Sequence, residues 1–507
     1  MAARKSDKPI VVRERESRSH GEGVCGNNAS TTGQPAPDTV GPDTAGITSL
    51  VGIANKARSH PKHRFQNLYR LLNRQHLLQA WHRLNKRASA GVDKVTAQDY
   101  GVNLLPNLID LEQRLKQKRY RCKGIRRTFI PKQNGKQRPL GIPALEDKIV
   151  QQAVADILGS IFEADFLACS FAYRPGVSAG DAAVSLSANL QWGPFGYIVE
   201  ADIKGFFDHV NHDWLLKMLQ QRIDDKALLG LIQQWLKTKV HMPDGSTLKP
   251  LAGTPQGGVI SPILANIYLH FVVDLWFERK IKPKLRGRAM MVRYADDYVM
   301  AFQYRQDAKA VYGSLPARLR KFDLEVAKEK TRLMRFSRFE VSMRRRIKFL
   351  GFEYYWWNGL DGRPRVMRRT ARAKLKELRQ TLKDWIRKSR HKRLYQIGKQ
   401  LRVKMLGHYR YFALKGNGQS VWRYYSIVIE LLFKWFNRRS QRRSYNWAGY
   451  KQLLDVMGLP KPELAGDRRF SVTWLFQKGA ALHGSNVITE EPGAVVPHAG
   501  ICVGASG

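Results

Sequence analysis

The chain has 507 residues, enough for about three domains of ordinary size. It carries 87 Lys and Arg against 42 Asp and Glu, a net charge of +45 at pI ≈ 10.3, so a polyanion is the default partner and its binding should weaken with salt. No apolar run reaches the ~20 residues that span a bilayer. The cysteines Cys25, Cys122, Cys169 and Cys502 stand singly, with no C-x-x-C pair for zinc and no disulfide framework.

Residues 1–55 are rich in Gly, Ser, Thr, Pro and charge without helical or strand period, and read as a disordered leader. They lack a signal-type apolar core, and Asp7, Glu14 and Glu16 do not suit an acid-poor transit peptide, so cytoplasmic residence is expected. From Arg64 to about Asn85, apolar spacing of three to four predicts an amphipathic helix. Between Arg126 and Arg138, two cation-loaded extended runs flank Asn134-Gly135, a strong hairpin signal. Helices are expected over about 144–165 and 212–239. Between them the apolar run Tyr197–Ala201 ends at Asp202. Gly253–Pro262 is a Gly-rich loop entering an apolar helix at Ile263–Leu269, and its adjacent glycines permit close backbone approach.

Met290–Met300 reads as strand–turn–strand with Asp296 and Asp297 at the turn. Asp favours turns for local reasons, so the pair alone proves little. With Asp202 at another strand end, however, three carboxylates can meet at one point. Hard cations such as Mg²⁺ want oxygen ligands and leave positions for substrate phosphates. Two such ions about 3.5–4 Å apart can activate a 3′-hydroxyl and stabilise a leaving pyrophosphate. After Phe352 the composition turns basic: Arg368–Arg443 interleaves Lys and Arg with Trp385, Tyr395, Tyr409, Tyr411, Trp422, Tyr424 and Trp435, a pattern suited to a nucleic-acid surface. A solvated helical face is the plainer alternative. Leu375, Leu378, Leu382 and Trp385 supply a buried side.

Ala201-Asp202-Ile203, the Gly253–Pro262 loop and Tyr294-Ala295-Asp296-Asp297 together resemble the group II intron-encoded reverse transcriptase/maturase family. The resemblance runs from about residue 56 to about 450 and includes Ser89–Asp93, Ile130–Lys132, Arg138–Pro143, Glu329–Thr331 and Phe349–Phe352. It implies an α+β right-hand polymerase with fingers, palm and an amino-terminal extension over 56–365, and an α-helical basic thumb (domain X) over 366–445. A small DNA-binding region and a loose tail would follow over 446–507.

The resemblance also implies roles. Asp202 and Asp296 would ligate two Mg²⁺ ions, with Mn²⁺ as a substitute, helped by the Ile203 carbonyl and by Asp297 as an outer or partial ligand. Lys132 and Arg138 would hold the triphosphate, and Gln256 would touch the incoming nucleotide. Phe207, or alternatively Phe206, would lie under the sugar and exclude a 2′-hydroxyl. Lys330 would protonate the leaving pyrophosphate or simply face a phosphate, and Phe349, Leu350 and Gly351 would form a primer grip. The implied partners are group II intron RNA, an RNA template with DNA primer, dNTPs and target DNA. The expected function is an RNA-directed DNA polymerase that assists splicing and retromobility, in the form without an HNH endonuclease, priming from an existing 3′ end. The alternatives are an RNA-binding splicing chaperone that does not polymerise, and a reverse transcriptase recruited to defence or repair.

Overall fold

Alternating side chains on the central strands give a sheet that is buried on both faces. The structure is a computed structural model that describes residues 49–131, 137–254, 257–438 and 445–464. In chain order its strands are β1 (Ile125–Pro131), β2 (Gln137–Ile142), β3 (Tyr197–Asp202), β4 (Val240–His241), β5 (Thr247–Leu248), β6 (Ala289–Tyr294), β7 (Asp297–Phe302), β8 (Arg332–Arg335), β9 (Ile347–Phe349), β10 (Phe352–Asn358) and β11 (Pro364–Thr370). Among the described residues they form three sheets, ordered β2-β1-β4-β5, β6-β7-β3-β8 and β11-β10-β9. With long helices before, between and after them, the fold is α+β.

The central sheet β6-β7-β3-β8 is antiparallel throughout, and period-two alternation sorts its residues between two cores. Val199, Ala201, Tyr298, Met300 and Phe302 join the core built by the amino-terminal and middle helices. Ile198, Val292, Val299 and Ala301 join the other, with the helix Ala179–Trp192, the β9–β11 sheet and the helices Arg372–Ser389, Leu394–Phe412 and Gly418–Phe436. The expected division near residue 365 therefore falls within one continuous core. The described residues all fall in one compact unit.

Several expected elements shift, each for a local reason. The helix Leu50–Ser59 starts inside the expected leader, capped by the Ser49 side chain, and buries Ile53 and Ala57. The single helix expected over 64–85 is a short 3₁₀ turn, Leu68–Leu71, followed by Arg74–Arg83, because the Asn73 side chain accepts the His76 N–H at 3.0 Å and starts a new helix. The helix expected over 212–239 is two helices, His212–Leu219 and Lys226–Leu236, started by Asn211 and Asp225 caps. The intervening chain pairs with Phe65, whose N–H donates to the Arg222 carbonyl and whose carbonyl accepts from Asp224, both at 2.7 Å. The expected helix over 144–165 is present as Leu145–Phe162. The apolar stretch after the Gly-rich loop forms the buried helix Ser261–Leu269 and runs on through π-helical segments at His270–Asp274 and Phe277–Ile281.

β1 and β2 pair from Arg126↔Ile142 to Pro131↔Gln137, as expected of the basic hairpin. Its Asn134-Gly135 turn lies outside the described residues, as does Lys132. Among the described residues no helix is long and apolar enough to cross a membrane.

The Ser89–Asp93 motif is fastened to this hairpin. Arg126 donates to the Ala90 carbonyl, Lys148 to the Ser89 carbonyl at 2.6 Å, and Lys123 pairs with Asp93 at 3.0 Å. Gly91 lies so close to the next segment that a Cβ there would stand 2.5 Å from Ala144 Cα and 2.7 Å from the Pro143 carbonyl oxygen. Both neighbours are backbone and cannot swing aside. Gly91→Ala is therefore expected to destabilise the fold by about 1–3 kcal/mol through overpacking, read as a lower urea midpoint at unchanged slope.

Candidate active site

β3 and β7 lie side by side in a register that sets Asp202 directly opposite Asp297. β6 and β7 are joined by a two-residue turn, Ala295-Asp296, closed by the pair Tyr294↔Asp297. Ala295 takes φ +56, the left-handed conformation such tight hairpin turns require, although it is not a glycine. Alternation puts Asp202 and Asp297 on the same face as Glu200 and Val299. The three predicted carboxylates thus converge at one end of the sheet.

Their proximity is electrostatically costly. The Asp297 carboxyl is pushed up to about 7, first by burial and then by the charges of Asp202 and Asp296, against a hydrogen bond from the Leu350 N–H. Burial also raises Asp296, with repulsion from Asp202 added, while Lys330 and Arg138 pull it back. Lys330 Nζ sits 2.6 Å from Asp202 Oδ2 and is held above the usual lysine value, first by that hydrogen bond. Among the described residues no three acidic, His or Cys side chains close on one point as a formed metal cage. The donors here are nevertheless all oxygens whose mutual repulsion a cation would relieve, so the residues present fit a hard divalent ion.

Other predicted residues surround this point. Ile203 is buried and its segment bridges to Val326, with the Asp202 carbonyl accepting from Ala327 at 2.9 Å. Phe206 is 1% exposed and packs toward Tyr268, whereas Phe207 is only half-buried, so of the two Phe207 is the ring available to a ligand. Arg138 is exposed on β2, and its charge reaches Asp296. Gly253 lies so close to the Phe206–His209 turn that a Cβ would meet the carbonyl oxygens of Phe207 and Asp208 at 2.9 Å. Gly257, at φ +105, approaches the Gly141 carbonyl of β2 in the same way, at 2.8 Å. The Gly-rich loop thus runs between the chain after Asp202 and the basic hairpin. Gln256 lies outside the described residues. Of the expected grip, Phe349 is core, while Leu350 and Gly351 form a turn with φ +52 and +74, and Leu350 reaches Asp297.

Sequence reasoning missed five residues. Glu200, 7% exposed, accepts from both arms of Arg332 and from the Lys348 N–H at 2.7 Å, tying the β9–β10 hairpin to the sheet. Arg293 and Asp274 form a fully buried ion pair under the turn. Tyr173 is half-exposed at φ +56, with its hydroxyl pushed up by burial and then by the charge of Asp296. Tyr411, from the helix Leu394–Phe412, donates to the Leu350 carbonyl at 3.2 Å. The signal for Glu200 and Arg293 was present, since a charge inside an otherwise apolar strand needs a buried partner.

An antiparallel sheet ending in convergent carboxylates and faced by a basic hairpin is the arrangement of a template-directed nucleotidyltransferase. Residues 130–354 match the family described as reverse transcriptase (RNA-dependent DNA polymerase). The chain is 32% identical over 313 residues to protein YkfC of Escherichia coli K12, covering 53% of this chain and 81% of that one. It is 36% identical over 238 residues to the group II intron-encoded protein LtrA of Lactococcus lactis subsp. cremoris, covering 46% of this chain and 39% of LtrA. It is 31% identical over 97 residues to nuclear intron maturase 1 of Arabidopsis thaliana, covering 19% of this chain and 13% of that protein. The chain belongs to the group II intron-encoded reverse transcriptase/maturase family, whose polymerase is RNA-directed and makes DNA.

Replacing Glu200 by Ala removes the acceptor for the Lys348 N–H and for Arg332. Arg332 is 44% exposed on its side chain and can return to water, so the cost rests mainly on the buried amide. The expected loss is about 1–3 kcal/mol, measured by urea denaturation. Primer extension should fall more than RNA affinity, because the hairpin that reaches Asp297 loosens.

Proposed function

We propose that the chain copies an RNA template into DNA from a primer 3′ end, at the point where Asp202, Asp296 and Asp297 converge, and that it binds and assists the splicing of its own group II intron RNA. The observation that carries the polymerase reading is the cross-strand opposition of Asp202 and Asp297 with Asp296 in the adjoining turn. Asp202 and Asp296, with the Ile203 carbonyl and Asp297 as a partial ligand, would hold two Mg²⁺ ions, or Mn²⁺ in their place. Bound there, the ions supply activation of the primer 3′-hydroxyl and neutralisation of the pyrophosphate.

The remaining residues do the positioning. Arg138, with Lys132 from the same hairpin, binds the triphosphate, and Gln256 touches the incoming nucleotide. The half-buried ring of Phe207 fills the space a 2′-hydroxyl would need. Lys330 stays protonated beside Asp202, which suits it either to donate a proton to the departing pyrophosphate or to face its charge. Leu350 and Gly351 set the primer end against Asp297. Residues 366–445 act as the thumb, domain X. Their helices bury Leu382, Ile386, Leu401 and Leu432 and leave Tyr395 and Trp422 exposed among the cations of this stretch, a surface for template–primer duplex and intron RNA. The helix Trp447–Met457 begins the segment assigned to target DNA. Residence in the cytoplasm, bound to nucleic acid, fits this activity.

Asp296→Ala is expected to abolish extension of a DNA primer on an RNA template with dNTPs and Mg²⁺. Losing several kcal/mol of transition-state stabilisation corresponds to about a thousandfold in rate. RNA affinity in a filter-binding assay should be retained. Equal extension by the variant would remove the carboxylates from the reaction; no extension by the wild type, with tight RNA binding, would favour the chaperone. Phe207→Ala should raise ribonucleotide incorporation relative to deoxyribonucleotide by about ten- to a hundredfold, measured by single-nucleotide extension. Splicing assistance is tested separately, by adding the protein to its intron RNA at low Mg²⁺.

A further inference from the structure

Arg293 is a charged residue of the Met290–Val299 hairpin whose chemistry the polymerase reading leaves unused. It lies on the opposite face of the sheet from Asp297, paired across to Tyr298, and its side chain is fully buried. All five of its guanidinium N–H bonds have acceptors. Nε and Nη2 donate to the two oxygens of Asp274 at 2.7 and 2.6 Å. Nη2 also donates to Ser170 Oγ at 2.7 Å, and Nη1 to Asn266 Oδ1 at 3.2 Å. The last bond runs from Nη1 to the Ala295 carbonyl, again at 3.2 Å.

That last acceptor matters most. The Ala295 carbonyl and the Asp296 N–H belong to one planar peptide, so holding the oxygen fixes the plane from which Asp296 departs. Ala295 itself sits at φ +56, where a side chain is disfavoured and the turn would relax if nothing held it. The same group steadies a second loop. Ser170 pairs with Arg293 as an isolated bridge, Phe171 N–H donates to the Arg293 carbonyl at 3.0 Å, and Asn266 also donates to the Ala172 carbonyl at 2.6 Å. This places Tyr173, half-exposed and also at positive φ, beside the turn.

We propose that Arg293 is the positioning residue of the site: from beneath the sheet, its guanidinium holds the Ala295–Asp296 peptide and the Ser170–Tyr173 loop in one register, so that Asp296 stands ready for the metal ions. It touches neither substrate nor metal. Asp274 and Asn266 act through it, and they come from the Ser261–Leu269 helix and its π-helical continuation. A lysine cannot replace this arrangement, because one ammonium nitrogen cannot reach acceptors spread around a planar fork.

The proposal rests on the carboxylate site being the polymerase, and its test keeps the two apart. Arg293→Lys and Asp296→Ala are assayed beside the wild type for single-nucleotide extension, Mg²⁺ dependence, template–primer affinity and thermal midpoint. Arg293→Lys keeps a positive charge for Asp274 and is expected to stay folded. Its kcat should fall by about ten- to a hundredfold, the loss a 1 Å misplacement produces. Its KM for dNTP and its template–primer affinity should stay within about twofold, since neither contact is touched. The Mg²⁺ concentration for half-maximal extension should rise severalfold, a change that mere loss of folded protein does not produce. Where Arg293→Lys melts below the assay temperature, the charge-free double variant Arg293→Met/Asp274→Leu carries the same test, because it removes both buried charges together, a replacement that often costs little stability, rather than stranding one of them. A folded variant of either kind with wild-type kcat and Mg²⁺ dependence overturns the positioning role. If Asp296→Ala also extends normally, the polymerase reading itself falls; if only the Arg293 variant does, the site stands without this support.

Discussion

Carboxylates brought together at one end of a sheet repel one another, and the packing around them must tolerate that repulsion. Asp202, Asp296 and Asp297 converge at the end of a sheet whose sides are buried, where water screens them poorly, and Asp297 is pushed up to about 7 as a result. The groups that counter it come from separate parts of the chain: Lys330 forms an ion pair with Asp202, the charge of Arg138 acts on Asp296, and the Leu350 N–H bonds to Asp297. A hard divalent cation would relieve the repulsion that remains, and the oxygen donors present suit one. The rest of the protein carries the opposite sign, with a net charge of +45, and draws in the polyanion that such a site must work on.

The central sheet can bear this arrangement because it is clamped from both faces. One set of alternate residues packs on the amino-terminal and middle helices, the other on the β9–β11 sheet and the helices beyond it. The carboxylates continue the second set at the point where its apolar partners stop. Beneath them the buried Arg293–Asp274 pair lies on the first face. Glu200, one pair of residues back along the second face, binds Arg332 and the Lys348 amide and so joins the next sheet to this one. The protein side of the site is thus packed and tied from both faces of the sheet.

The basic helical region is also joined to the site, through aromatic packing. The Phe412 ring lies against Gly351, Tyr411 lies parallel to Phe352 at 6.2 Å, and the Tyr411 hydroxyl donates to the Leu350 carbonyl. Further along, His408 stacks on Tyr424 at 3.8 Å, and burial lowers its pKa to about 4, so it packs as a neutral ring. Asn417 closes the connection by accepting the Thr370 N–H at 2.7 Å and donating to Thr370 Oγ1. A helical domain gripping nucleic acid would thus meet the turn that contacts Asp297 through direct packing rather than through a linker.

The sequence by itself determined the chemistry: the three carboxylates, the cationic hairpin, the Gly-rich loop, and the basic, aromatic stretch are all local patterns of residue type, legible because period-two alternation, turn residues and charge runs are short-range. It also placed the helix over 144–165 and the strand–turn–strand around Asp296. It did not determine where the helices expected over 64–85 and 212–239 break: the Asn73 and Asp225 caps that restart them are local, but the Phe65–Ile223 pairing that holds the chain between the second pair of helices joins segments far apart in sequence. Nor could it show that Glu200 and Arg293, read as charges in apolar strands, have partners more than a hundred residues away at Arg332 and Ser170. That Phe206 is buried while Phe207 is only half-buried was likewise decided by packing, since adjacent residues on a short helix differ in nothing but the neighbour each one meets. Tertiary structure decides such questions because the free energy of burying a charge or a ring depends on what lies across from it, and composition and spacing carry no record of that.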